Sequence, residues 1–287
     1  MDFWIITTFY GVSYAALLFL LASGLSLIFG VMRIVNLSHG AYYLLAGYVG
    51  YSTIKFTHSF ILGIAAGIAS IALVGILMER IFLRRVSGYN LGQVLITVGF
   101  ALIFQDVALL IWGGDPITIE APGFFSGSLI AGGIYFPKYR LFMITVAGIV
   151  AIGLWLFENK TRAGSIIRAV VDNVEMARGM GINAPLVSSG VYALGAGLAA
   201  LAGVVGGGFL SIYPGLDFEI LPFAFVVVIL GGRGSLEGAI LGSLIVGLID
   251  NFGKSLFPEL SYFTVFAPMV LMLAIRPMGL FGKAQMR

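Results

Sequence analysis

From Phe3 to Met32 the chain runs for 30 residues without a charge, and such runs recur to its end. Further uncharged stretches cover 34–54, 56–78, 86–105, 141–157, 179–216, 220–232, 238–249 and 260–275. A helix needs about 20 apolar residues to cross the hydrocarbon core. The pattern predicts an all-α, polytopic integral membrane helix bundle with eight or nine spans, organised as one domain over 1–287. The run 179–216 is 38 residues long and several later runs are short, so broken or re-entrant helices are expected there. Non-helical backbone at membrane depth is tolerated only where protein buries it or water lines it.

Charged residues make up 10% of the chain, against about 25% in soluble domains. The 40 glycines suit membrane helices, whose backbones approach closely through small residues. Without cysteine there is no disulfide framework and no thiolate metal site. The opening MDFWIITTFYG carries an acid and no basic n-region, so the first apolar segment is read as an anchor rather than a cleaved signal.

Lysine and arginine set the orientation. One side of the predicted membrane holds Arg33, Arg80, Arg84, Arg85, Lys160, Arg162, Arg168, Arg178, Arg233, Arg276, Lys283 and Arg287. The other holds Lys55, Lys138, Arg140 and Lys254. The first side is therefore expected to be cytoplasmic. With nine spans, the N-terminus is outside and the C-terminus inside.

Polar groups interrupt the apolar runs at a few places. Asn36, Ser38 and His39 sit in VNLSHG, at the cytoplasmic junction of the first two spans. They suit either helix capping or the lining of a translocation path. Asp106 and Asp250 are acids within spans; each reads as a partner for another helix, with no evident basic partner inside the membrane. Gly234, Gly238 and Gly242 recur every four residues, a spacing that suits one packed helix face.

Catalytic signatures fail on inspection. GKS at 253–255 lacks the upstream glycine of a phosphate loop, since Leu248 stands there. GAGLAA at 195–200 fits a dinucleotide fingerprint in form, but it lies inside an apolar run with no strand before it. His39 and His58 are the only histidines, and no G-x-S-x-G is present. No catalytic residue, metal site or nucleic-acid partner is expected.

The polar stretch TRAGSIIRAVVDNVEMARGMGI, 161–182, stands between apolar runs on the cytoplasmic side. Ala163, Ile167, Val170, Val174 and Ala177 follow a helical spacing. Arg168 with Asp172 and Glu175 with Arg178 could pair along it, and Gly179 and Gly181 could end it. A short amphipathic helix results, one that could dock into a cytoplasmic partner or lie on the lipid bilayer.

GLSLIFGVMRIVNLSHGAYYLLAGY, TRAGSIIRAVVDNVEMARGMGINA and ILGGRGSLEGAILG together resemble the permease subunits of ABC importers for branched-chain amino acids, in their shorter, LivH-type form. The resemblance covers nearly the whole chain in the same order. It implies a second permease subunit, as a homo- or heterodimer, two cytoplasmic ATPase subunits and an extracytoplasmic solute-binding protein, in the inner membrane of a prokaryote. It also implies that Arg168, Asp172, Glu175, Arg178 and Gly181 belong to a coupling helix at about 161–182 that seats in an ATPase. ATP and magnesium would be bound by those partners, leaving this chain without a cofactor. The residues leave open a permease for urea, short amides or sugars, and a secondary transporter or channel that uses no ATPase.

Overall fold

The computed structural model describes residues 2–232, 234–276 and 278–281. Arg233, Lys283 and Arg287, counted above for orientation, lie outside the described residues. In chain order the helices are α1 (Asp2–Met32), α2 (His39–Thr57), α3 (Phe60–Ile81), α4 (Asn90–Trp112), α5 (Lys138–Lys160), α6 (Arg162–Asp172) and α7 (Val174–Gly179). They continue as α8 (Ala184–Gly206), α9 (Leu216–Gly231), α10 (Leu236–Leu256) and α11 (Ser261–Ile275).

The helical character of the chain is as expected, with one addition. Between α4 and α5, β1 (Ser128–Ala131) pairs antiparallel with β2 (Ile134–Pro137). Gly132 and Gly133 turn the hairpin at φ +59° and +83°, the left-handed pair that a two-residue hairpin requires. The all-α reading missed this hairpin because its strands are only four residues long.

Among the described residues, seven helical segments are long and apolar enough to cross a membrane: α1, α3, α4, α5, α8, α10 and α11, the last reaching 18 residues only with the 3-10 turn that leads into it (Pro258–Ile275). The protein is thus a polytopic helical membrane protein, but length and hydropathy give seven spans rather than eight or nine. Two helices fall short for different reasons. α2 is diluted by His39, Lys55 and four tyrosines, and α9 has only 16 residues. α9 starts after a non-helical connection at 207–215, with Gly215 at φ +109°, so the long run 179–216 is indeed interrupted near its end.

Packing centres on α1 and α8, whose most apolar stretches are each 72% buried. They come close at Gly24 and Gly195, where a Cβ on either would strike the other's backbone carbonyl. α2 lies against α8, α3 and α9, while α10 lies against α1 and α9.

The glycine repeat near the start of α10 divides in two. Gly238 and Gly242 back onto Gly231 and Val227 of α9. Gly234 does not share their face: it precedes the helix at φ +75° and meets Gly30 of α1. The reason is local, because Ser235 caps α10 by accepting the Gly238 N–H at 3.0 Å, so the helix begins only at Leu236.

Candidate functional site

The polar stretch 161–182 folds as two helices rather than one. Thr161 caps α6 by accepting the Gly164 N–H at 3.1 Å. Asn173 adopts an extended backbone, φ −154° and ψ 104°, which ends α6, and its side chain accepts the Met176 N–H at 2.9 Å to start α7. Asparagine favours this capping role over a helix interior, and that preference splits the expected single helix. Gly181 at φ +83° closes α7, with the Gly181 N–H bonded to the Arg178 carbonyl and the Ile182 N–H to that of Ala177. These two bonds make a Schellman ending. Asn183 then caps α8 through the Leu186 N–H.

One face of the α6–α7 pair is anchored. Val170 and Ala177 are buried with Ala184, and Val31, Ile182 and Val187 pack around them. The other face is open, exposing Ile166, Val174, Met176 and Met180 beside Arg168, Asp172, Glu175 and Arg178. The pairs anticipated along this stretch, Arg168 with Asp172 and Glu175 with Arg178, are absent among the described residues. Arg168 instead donates to the Glu158 carbonyl and to Ser165 Oγ. An exposed ion pair is worth only about 0–1 kcal/mol, too little to hold Arg168 away from those acceptors. A cavity of about 490 Å³ flanks the pair, lined in part by Arg33, Glu79, Arg84, Asp172, Glu175 and Arg178.

The base of this structure is tied to the bundle by a polar joint invisible in the sequence. Glu79 of α3 is buried, and Arg84 grips it through Nε at 3.2 Å and Nη2 at 3.0 Å. Arg84 also donates to the Pro185 carbonyl at 3.0 Å and to Ser189 Oγ at 2.8 Å. Ser189 Oγ in turn donates to Glu79 Oε2 at 2.6 Å. The joint locks the end of α3 to the first turns of α8, directly beside α7. Glu79 and Ser189 lie 110 positions apart, so no local spacing announces them.

Asn36, Ser38 and His39 come together at the start of α2, each fully buried. Asn36 Oδ1 accepts from the Ser38 N–H at 3.1 Å and from its hydroxyl at 2.6 Å. Ser38 occupies the N-cap position of α2, yet its side chain makes no bond to the first turn. His39 Nε2 lies 2.9 Å from the Leu21 carbonyl and donates to it. Deeper in the same layer, Tyr42 Oη lies 2.9 Å from both Met78 Sδ and Tyr192 Oη. Asn36 Nδ2, His39 Nδ1 and Asp217 Oδ1 are buried without a hydrogen-bond partner among the described residues. Unsatisfied polar atoms of this kind are uncommon in folded proteins; Ser26 Oγ, Tyr43 Oη and Tyr48 Oη are three more among the described residues.

The two intramembrane acids separate. Asp106 is exposed on α4. Asp250 is buried on α10 and pairs with Lys254 at 2.7 Å, contrary to the expectation that it lacks a basic partner. Lys254 was counted with the outer loops, but α10 continues through it, one turn beyond Asp250.

Comparison with known proteins bears on these features together. The family described as "Branched-chain amino acid transport system / permease component" matches residues 7–274. The high-affinity branched-chain amino acid transport permease BraD of Pseudomonas aeruginosa is 28% identical over 281 residues, covering 93% of this chain and 92% of that protein. LivH of Escherichia coli K12, with the same description, is 26% identical and covers 96% of this chain and 95% of its own. The ribose import permease RbsC of Escherichia coli K12 is 28% identical over a shorter span, 83% of this chain and 75% of that protein. No solved structure matches the chain.

Proposed function

Because the chain belongs to the family of branched-chain amino acid transport system permease components, we propose that it is the membrane-spanning subunit of an ATP-driven importer for branched-chain amino acids. In this reading it pairs with a second permease subunit, two cytoplasmic ATPases and an extracytoplasmic binding protein that delivers the solute. Hydrolysis belongs to the ATPases, which hold ATP and magnesium. The names of BraD and LivH support the substrate class.

The observation that carries the reading is the α6–α7 pair. It is anchored beneath α1 and α8 on one face, while Ile166, Val174, Met176 and Met180 stay exposed on the other. Exposed apolar side chains rimmed by charge are the surface a docking partner covers. Arg168, Asp172, Glu175 and Arg178 supply that rim, and Gly181 sets the exit into α8.

Nine membrane segments complete the proposal, with α2 and α9 added to the seven long helices. His39 at the start of α2 and Asp217 at the start of α9 are buried against protein. The non-helical backbone that leads into each helix is tolerated at membrane depth where protein covers it. The N-terminus is then outside and the C-terminus in the cytoplasm, so α6–α7 faces the ATPases. ATP-driven closure of those subunits would press on α6–α7 and, through Arg84, Glu79 and Ser189, rock α3 with α8. Asn36, Ser38 and His39, fully buried at the start of α2, lie at the inner end of the proposed path and would meet a solute only once the helices around them move apart.

Substituting Met176→Asp places a charge in the proposed docking surface without touching the anchored face. Recovery of the ATPase with the detergent-purified permease should fall about tenfold or more, the scale of a buried interface anchor, while membrane insertion stays unchanged. Undiminished recovery together with normal leucine uptake would remove the docking role.

A further inference from the structure

At the opposite end of the molecule, a second cavity of about 430 Å³ opens among α1, the start of α5, the 207–215 connection, α9, α10 and α11. Its size falls within the roughly 300–1,000 Å³ range of small-molecule sites. It lies on the side carrying Arg140 and Lys254, assigned above to the extracytoplasmic face. Four charged residues line it: Arg140, Glu219, Asp250 and Lys254. Their formal charges cancel, so the cavity is matched to a ligand that is neutral overall.

The four are not equivalent. Asp250 and Lys254 satisfy each other at 2.7 Å. Arg140 has no carboxylate partner among the described residues. Its guanidinium lies over two aromatic rings instead, with Cζ 3.8 Å from the centre of the Tyr10 ring and 4.6 Å from that of Phe209. A guanidinium over aromatic rings keeps its N–H donors, which can bind a carboxylate in bidentate fashion. Glu219 accepts a hydrogen bond from the Tyr213 hydroxyl at 2.8 Å and pairs with no cation among the described residues. The same cavity is lined by the apolar Leu210, Leu216, Ile220 and Phe223.

We infer that this cavity is a reception site for a free α-amino acid with an apolar side chain, the Arg140 fork taking the carboxylate, Glu219 the ammonium and the Ile220–Phe223 wall the side chain. The inference rests on the importer reading and adds to it a site in the permease itself, occupied after release from the binding protein. A planar guanidinium and a carboxylate recognise α-carboxylate and α-ammonium by charge-assisted hydrogen bonds, the strongest available to side chains. Monopolar analogues leave one of the two groups unpaired, and so are rejected.

The test uses the permease assembled with its ATPases in phosphatidylglycerol nanodiscs, without binding protein and without a zwitterionic lipid to compete. Tritiated leucine should bind saturably and be displaced by leucine, but poorly by 4-methylpentanoate or 3-methylbutylamine. Arg140→Gln and Glu219→Gln should each weaken leucine binding about tenfold or more, and Arg140→Lys should restore part of the loss. Glu219 is exposed on the first turn of α9, so its amide variant should fold normally, and ATPase recovery checks the Arg140 variants. Absent saturable leucine binding to the wild type, or wild-type binding by both glutamine variants, would overturn the site. Whole-cell uptake separates the two levels. Normal leucine import by wild type and both variants removes the site and keeps the importer, whereas a wild type that imports no branched-chain amino acid removes the importer reading too.

Discussion

α8 and α4 differ in the opposite sense from the one hydropathy suggests. The most apolar stretch of α4 has a mean hydropathy of 2.4 and is 17% buried within the protein; that of α8 has 1.6 and is 72% buried. In water the more apolar helix would be the core. In a bilayer lipid is as apolar as leucine, so association follows close packing and polar bonds. α8 offers Gly195, Ala199 and Gly203, which let α1 and α2 approach, whereas α4 turns Leu95, Leu102, Leu109 and Leu110 outward. The inner helices are therefore defined by small residues. Helices α4 and α5, the latter also 17% buried, are free to meet lipid or a second subunit.

The joint at the base of α3 gives the strongest way to break this contrast, because α3 is a rim helix, 22% buried, tied to the inner α8. The Glu79 side chain is 2% exposed and that of Arg84 is 40% exposed. Removing the arginine strands a buried carboxylate, while removing the glutamate leaves an arginine that can turn to water. Arg84→Ala should therefore cost about 3–5 kcal/mol and Glu79→Ala clearly less. Thermal unfolding in detergent would read the order; negligible loss from both substitutions would mean that α3 is held by packing alone.

Gly24→Ala comes next. The added methyl meets the Gly195 carbonyl, a backbone group that moves only if α8 moves. Overpacking of this kind costs about 1–3 kcal/mol, and the same measurement should show it. A neutral result would place the α1–α8 contact under no steric constraint, and small residues would no longer define the inner helices.

What the sequence disclosed follows from the same physics. Uncharged runs mark membrane helices because lipid penalises charge wherever it falls, and the 161–182 stretch was legible as the exception. Its amphipathic spacing located Val170 and Ala177, both buried, but Ala163 and Val174 of the same spacing are exposed. The break at Asn173 was missed because helical periodicity continues across it, although asparagine followed by Glu175 in the first turn is a cap pattern that could have been read. The Asp250–Lys254 pair had a legible spacing of four, obscured by treating Lys254 as loop. Arg84 with Ser189, and Arg140 with Glu219, depend on segments that meet only after the bundle forms. No local pattern encodes them, and hydropathy cannot rank burial: α1 at 2.3 is as buried as α8 at 1.6.

The smallest effect belongs to the rim and serves as the control. Gly148 lies within α5, and a Cβ placed there would meet nothing within 4 Å. With no steric opposition, only the helix preference of alanine over glycine remains, up to about 1 kcal/mol and often less in a packed context. Gly148→Ala should thus leave the unfolding temperature unchanged or raise it slightly. The sign matters more than the size. If Gly148→Ala lowered stability as much as Gly24→Ala, the outward face of α5 would be occupied by another chain in the purified protein. The comparison would then sharpen to one between contacts within a subunit and contacts between subunits. Repeating both substitutions after separating the subunits would decide it, since the loss at Gly148 should vanish and that at Gly24 should persist.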